Sequence, residues 1–296
     1  MADHEKDKIY CIYVDEGISP EEANVEHIIP LSLGGINSFK IQVSKSKNAS
    51  VGSLLDGVLS KDFLIQAVRR KKGYKGHSKK PAKLAIRGTR TDTGEKVVVY
   101  YKDGENYIFN PVKNLRYTED EKGQIPLALT VQFNKNVRIR FVAKVALSAG
   151  YFLFGDKFRQ HTDHNSLRRI MNWEVQGTTD DDIPVGLLDE FREIPEDSPS
   201  WEATFRVLFG KIGCSGVAFV LGPNQIIAAV GIGGRFIGSI NFKADGQHFG
   251  YKEGPYDGVV VGLQNKKIIK NSFHKLLKRI IDGFEKSDKA KAPDMV

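Results

Sequence analysis

An acid and an imidazole stand side by side near the start of the chain, in the stretch 25-VEHIIPLSLGG-35. Glu26 and His27 end a strand-like run, and Asn48 follows after a second such run. Carboxylate and amide oxygens are hard donors that suit Mg²⁺ better than zinc. A histidine with an ordinary pKa of about 6.5 can serve as a general base at neutral pH. These three residue types together could therefore hold a hard divalent ion beside a general base.

The elements around these residues must bring them together. Strand-like runs at 8–14, 25–30 and 38–43 precede apolar residues at helical spacing, with Gly34-Gly35 as the turn. A helix that begins at Asn48 and crosses the hairpin would let Asn48 and Glu26 meet at one cation. In a regular strand, however, His27 points away from Glu26. A twist or bulge is then needed to bring both into one cleft.

The order of strand, Glu-His, Gly-Gly turn, strand and Asn at the helix start resembles the HNH endonuclease motif of the ββα-metal fold, over residues 8–60. The resemblance implies that Glu26 and Asn48 bind one divalent ion, Mg²⁺ or Mn²⁺. It also implies that His27 is the general base that activates water.

Two positions depart from the family pattern. Many HNH proteins hold a structural zinc ion with two CxxC pairs, and the corresponding positions here read Cys11…Val14 and Ser44…Lys47. One thiolate cannot hold zinc alone, so we expect no structural zinc. The middle asparagine of the family, which orients the histidine, is replaced by Phe39, with Asn37 two residues earlier.

A basic run follows the motif. Between residues 69 and 90 there are ten basic residues and no acid, which exceeds the net charge of +8 of the whole chain. Such a run is typical of a surface that contacts phosphates, although a solvated loop has the same composition. The residues that we expect to contact DNA are Arg69, Arg70, Lys71, Lys72, Lys75, Lys79 and Lys80.

The chain divides into four parts, and the fold class is predicted to be α+β. An HNH-type module (1–75) is followed by a basic loop with mixed strands and helices (76–173). An acidic connection (174–198) then leads to a strand-rich C-terminal domain (199–296) that ends in an amphipathic helix.

Two other features point to no further chemistry. In 160-QHTDHNS-166, Asp163 is predicted to cap a helix and His161 and His164 to be exposed, rather than to form a second metal site. Cys11 and Cys214 are too few for a disulfide framework, which favours a reduced, cytoplasmic setting. No apolar run approaches the roughly 18 residues of a membrane span, so no membrane partner is expected.

The sequence thus predicts a divalent-metal-dependent DNA endonuclease, for which restriction or defence is a plausible role. One module cuts one strand, so double-strand cleavage implies a homodimer or two successive nicks. Two alternatives stay open. One is a non-catalytic nucleic-acid-binding protein on the same scaffold, and the other is an RNA-directed nuclease.

Overall fold

The chain folds into mixed α-helices and antiparallel sheets, as the predicted α+β class requires. The computed structural model describes residues 8–76, 79–82, 84–102, 105–131, 133–173, 187–189, 201–252 and 257–289. Most of the predicted acidic connection lies outside the described residues, as do His77 and Lys83 of the basic run.

The N-terminal part consists of two β-ribbons followed by helices. Its elements are β1 (Ile9–Cys11), β2 (Glu16–Ile18), β3 (Ala23–His27), β4 (Lys40–Ser44), α1 (Lys45–Val51), α2 (Gly57–Leu59) and α3 (Phe63–Lys72). Strand β1 pairs with β2, and β3 pairs with β4. A π-helical segment, Gly52–Asp56, connects α1 to α2 without a break. The side chain of Asp62 caps α3 by accepting from the amides of Leu64 and Ile65.

The predicted hairpin forms, but two of its boundaries differ from the prediction. The helix begins at Lys45 rather than at Asn48, which lies inside α1 instead of capping it. The connection between β3 and β4 is a loop that contains a short 3₁₀ helix, Leu31–Leu33, rather than a tight Gly-Gly turn. Gly34 ends that 3₁₀ helix with φ of 84°, a conformation that glycine adopts without strain.

The middle part forms a five-stranded antiparallel sheet in the order β8-β7-β6-β5-β9. Its elements are β5 (Leu84–Arg90), β6 (Lys96–Lys102), β7 (Glu105–Asn110), β8 (Leu115–Arg116), α4 (Glu119–Lys122) and β9 (Leu127–Leu129). Strand β9, at the edge of the sheet, is only three residues long. A small separate core of Val97, Val99, Ile108 and Tyr117 stabilises this sheet.

A long helix, α5 (Lys135–Phe154), lies at the centre of the molecule. It is buried around its circumference, as expected for a helix that is apolar on every side. It packs against the helical run 45–59 and against the C-terminal sheet. Two shorter helices follow, α6 (Asp156–His161) and α7 (His164–Met171), and Asp163 caps α7 as predicted.

The C-terminal part forms a six-stranded antiparallel sheet in the order β10-β13-β12-β11-β14-β15. Its elements are β10 (Leu187–Asp189), α8 (Trp201–Ile212), β11 (Ser215–Leu221), β12 (Gln225–Ile232), β13 (Arg235–Lys243), β14 (Gly258–Gln264), β15 (Lys267–Ser272) and α9 (Phe273–Lys289). Helices α8 and α9 cover one face of this sheet, and α5 packs against the sheet as well. In α9, Phe273 and Ile280 are buried as the predicted stripe requires, but Ile281 is 48% exposed.

One hydrophobic core runs through the N-terminal module, α5 and the C-terminal sheet. Isoleucines of the N-terminal ribbons are part of it, with Ile12, Ile28 and Ile29 fully buried. The module therefore packs against the other parts of the chain rather than standing apart. Among the described residues, no helix is long and apolar enough to cross a membrane.

Candidate functional site

The side chains of Glu26 and His27 point to opposite faces of the hairpin formed by β3 and β4. Glu26 is opposite Ile41 and His27 is opposite Lys40, in an unbroken antiparallel register. Glu26 and Ile41 are buried, whereas His27 is half-buried and Lys40 is exposed. No twist or bulge brings the acid and the imidazole into one cleft within this strand pair.

The imidazole of His27 is held by Asn37. The Nε2 atom of His27 lies 3.1 Å from Oδ1 of Asn37, in the loop between β3 and β4. Because this oxygen can only accept, Nε2 carries the proton and donates it, and the lone pair of Nδ1 is then the basic one. Asn37 therefore orients the ring, which is the role that the resemblance gives to the middle asparagine of the family.

The carboxylate of Glu26 forms an ion pair with the ammonium of Lys144, which comes from the middle of α5. The same ammonium donates to Oδ2 of Asp56 at 2.8 Å and to the carbonyl oxygen of His27 at 3.3 Å. Lys144 is completely buried. It donates hydrogen bonds to Asp56 and His27, whereas Oε1 of Glu26 is its ion-pair partner without a hydrogen bond. Glu26 is thus engaged in a buried charge cluster with Lys144 and Asp56.

Two carboxyl groups share one ammonium in this cluster. The pKa of Asp56 is raised to about 6, mainly because the carboxyl group is buried; Lys144 limits the rise and nearby Glu26 adds to it. Burial alone would lower the pKa of Lys144, but Asp56, Tyr13 and Glu26 reverse that and raise it above its ordinary value. The ammonium therefore stays charged, and Asp56 takes up a proton at a higher pH than an ordinary aspartate does.

Asn48 lies close to the same strand. Its Nδ2 donates to the carbonyl oxygen of Val25 at 3.3 Å, so that α1 is tied to β3. This contact uses the nitrogen of the amide and leaves its Oδ1 available as an acceptor. Asn48 is half-buried, so this oxygen is the remaining hard donor among the predicted ligands.

The divalent ion that the resemblance implies does not fit Glu26 as the structure holds it. The carboxylate oxygens of Glu26 and Asp56 and the carbonyl of His27 form a donor set that suits a hard cation. Lys144 already supplies the cation there. A dication next to this ammonium would be repelled by it, so Glu26 can act as a metal ligand only if Lys144 moves away.

The predicted DNA-contacting residues fall into two groups. Arg69 donates to the carbonyl of Ser60 at 2.9 Å, Lys72 donates to that of Gly213 at 2.7 Å, and Arg70 donates to that of Tyr101. These three side chains tie α3 to neighbouring parts of the fold. The remaining members are exposed: Lys71, Lys75, Lys79 and Lys80.

Two of the positions that correspond to zinc ligands in the family are in contact. The amide of Ser44 donates to Sγ of Cys11 at 3.2 Å, and Cys11 begins a tight turn whose carbonyl accepts from Val14 and Asp15. Cys11 is a buried free thiol. It thus serves as a small apolar side chain and weak acceptor that joins the first ribbon to β4.

Sequence reasoning missed Lys144 and Asp56. A signal for Lys144 exists, because a single lysine inside 141-FVAKVALSAG-150 must find a partner if the helix is buried.

The prediction for 160–166 was partly wrong, since His164 is buried rather than exposed and burial lowers its pKa. His161 instead lies beside Asp245 and His248, far away in the sequence.

No protein-family model, curated protein or solved structure matches this chain.

Proposed function

We propose that this chain is an endonuclease that hydrolyses phosphodiester bonds in DNA, with His27 as its general base. The hydrogen bond from Nε2 of His27 to Asn37 carries the proposal. It leaves Nδ1 free to accept a proton from water on the half-buried outer face of the hairpin. General-base assistance of this kind typically contributes about 10²- to 10⁴-fold in rate.

The arrangement around the hairpin supports an HNH-type module. Strands β3 and β4 and helix α1 follow in the order that the resemblance implies, and Asn48 ties the helix to the strand that carries His27. Cys11 and Ser44, which stand where the family places two zinc-ligand pairs, are in direct contact.

The exposed lysines at the end of α3 and after it support a polyanionic substrate. Lys71, Lys75, Lys79 and Lys80 follow the motif directly in the chain. Such charges bind the phosphate backbone without reading its sequence. Two copies of the module, in a homodimer, would cut both strands of a duplex.

Mg²⁺ or Mn²⁺, which the resemblance implies, would neutralise charge that develops on the phosphate. The ion pair between Glu26 and Lys144 opposes that part of the proposal. Metal dependence is therefore a separate question from the role of His27, and the experiment must answer it separately.

The same ion pair favours a second candidate, a nucleic-acid-binding protein that does not cleave. In that protein Lys144 would permanently replace the metal ion, and the hairpin would be kept as a scaffold for the basic surface. The two candidates share the DNA contacts and differ in whether His27 does chemistry.

The test is cleavage of supercoiled plasmid by the wild type and by His27→Ala, each with Mg²⁺, with Mn²⁺ and with chelator. His274→Ala, on α9, controls for the loss of any histidine. The same reactions on methylated plasmid and on single-stranded RNA examine modified DNA and the RNA alternative.

If the wild type and His274→Ala cleave the plasmid and His27→Ala does not, the result supports a nuclease with His27 as its general base. Equal cutting by His27→Ala would refute the assignment. If no substrate is cut while DNA is shifted on a gel by both the wild type and His27→Ala, the binding protein is the better description. Cutting that persists in chelator would exclude a weakly held divalent ion.

A further inference from the structure

A cluster of three metal-ligating side chains lies outside the hairpin site. His161 is the last residue of α6, and Asp245 and His248 belong to the turn that follows β13. One donor atom of each lies within 4.8 Å of the others. Two imidazoles and one carboxylate from two separate segments thus share one small region of the surface.

The backbone fixes these two segments against each other. Asp163 donates its amide to the carbonyl of Lys243 at 2.8 Å, and Asp245 donates its amide to that of His161 at 2.9 Å. Between them, Thr162 and Ala244 form an antiparallel bridge. The three side chains therefore project from a connected backbone, which lowers the entropy cost of gathering them around a ligand.

The two imidazoles are stacked. The ring centroids of His161 and His248 are 3.4 Å apart and the ring planes differ by 3°. The ring of His161 therefore lies directly against the ring of His248, although the two residues come from separate elements. This contact brings imidazole nitrogens from two segments to one place.

Local structure accounts for only part of this cluster. Asp245 caps its own turn, since Oδ1 accepts from the amide of Gln247 at 3.2 Å, and Oδ2 lies 3.3 Å from Nε2 of His248. The cap and this contact between near neighbours account for the positions of Asp245 and His248. They do not explain why His161, from another element, places its ring against that of His248.

We propose that His161, Asp245 and His248 bind one Zn²⁺ or a similar borderline transition-metal ion. Imidazole nitrogens and a carboxylate are the usual ligands of such ions. Ligands about 2.0 to 2.1 Å from a tetrahedral ion lie roughly 3.3 Å apart, which is the separation between Asp245 and His248. The rings must tilt from their parallel stack so that both lone pairs point at the ion, and the side chain of His248, 46% exposed, has room to do so.

The proposed site keeps an open coordination position. The side chain of Asp245 is 53% exposed, so water or a group from another molecule can complete the coordination. The ion would link the end of α6 to the segment after β13. It is a transition-metal site, distinct in ligands and in place from the Mg²⁺ or Mn²⁺ site that the resemblance implies at the hairpin.

The test is titration of untagged, metal-free protein with Co²⁺, followed by its visible absorption, and then displacement of Co²⁺ by Zn²⁺. The wild type is expected to bind one ion with micromolar affinity or better. His161→Ala and His248→Ala should each weaken binding at least tenfold, because each removes one of three ligands. His274→Ala is the matched control and should bind as the wild type does.

Binding that is unchanged in His161→Ala and His248→Ala would overturn the proposal. So would binding by the wild type that is weaker than about 100 μM, since surface histidines without a site reach that range. His248→Ala gives the safer comparison, because its ring is exposed and its loss leaves the backbone contacts intact. Thermal unfolding with and without Zn²⁺ gives a second reading, since an ion that binds only the folded chain raises its melting temperature.

Discussion

The Nε2 atom of His27 and the Oδ1 atom of Asn37 lie 3.1 Å apart across the loop that joins β3 to β4. His27 is the last residue of its strand, and Ile28 still pairs with Phe39 through the backbone. The loop is therefore anchored on both sides of the contact. This geometry makes Asn37 a positioning residue for the imidazole, which can be tested without assuming that the chain cuts DNA.

Replacing Asn37 with alanine should release the imidazole of His27 from its fixed tautomer. The substitution removes the oxygen that accepts from Nε2, so the share of rings with the proton on Nδ1 should rise. NMR of the imidazole nitrogens distinguishes the two tautomers, with His27→Ala to assign the signals. Any cleavage activity should fall as well, because the ring is no longer held in place. An unchanged tautomer in Asn37→Ala would show that the two side chains do not interact in solution.

Replacing Lys144 with methionine should destabilise the fold severely. The substitution leaves the carboxyl groups of Glu26 and Asp56 buried without a cation, and removing one partner of a buried pair costs about 3 to 5 kcal/mol. Urea unfolding of Lys144→Met and of the triple variant Glu26→Gln/Asp56→Asn/Lys144→Met measures the effect. The triple variant should recover part of the loss, since no charge remains unpaired. A loss below about 1 kcal/mol in Lys144→Met would contradict the buried ion pair.

Asp56 should make the folded state less stable as the pH rises from about 4 to about 6. An unfolded aspartate releases its proton at about pH 4, whereas Asp56 in the fold has its pKa raised to about 6 by burial. Between these values the folded chain binds the proton more tightly, so the free energy of unfolding falls with rising pH, by about 2 to 3 kcal/mol for this group alone. The difference between the wild type and Asp56→Asn, measured across this range, isolates the effect. A difference that does not vary with pH would place the pKa of Asp56 near its ordinary value.

Local patterns predicted much of the N-terminal fold. The hairpin, the helical spacing after it and the apolar helix α5 follow from alternation and periodicity, and Asp163 could be recognised as a helix cap. The start of α1 was misplaced because asparagine is a good N-cap, and Ser44 stands in that position instead.

The contacts that decide the chemistry could not be read from the sequence. Lys144 meets Glu26 and Asp56 only because α5 crosses the hairpin and the π-helical segment, and no local pattern encodes that crossing. His161 was grouped with its sequence neighbours, but Asp163 and His164 are used in α7 and His161 pairs with residues after β13. Long-range packing, rather than residue type, selected the partners in both cases.

The exposed lysines and the anchored basic residues should behave differently when DNA binding is measured against salt concentration. Lys71→Ala, Lys75→Ala and Lys79→Ala each remove an exposed charge, so each should weaken binding and lower the salt slope by about 1 if it contacts a phosphate. Arg69→Ala should instead lower the stability of the fold by about 1 kcal/mol, because its guanidinium already donates to Ser60. Lys157→Ala, an exposed lysine on α6, is the control for lost charge. If the three α3 and loop variants lose no more affinity than Lys157→Ala, the DNA does not lie along this basic run.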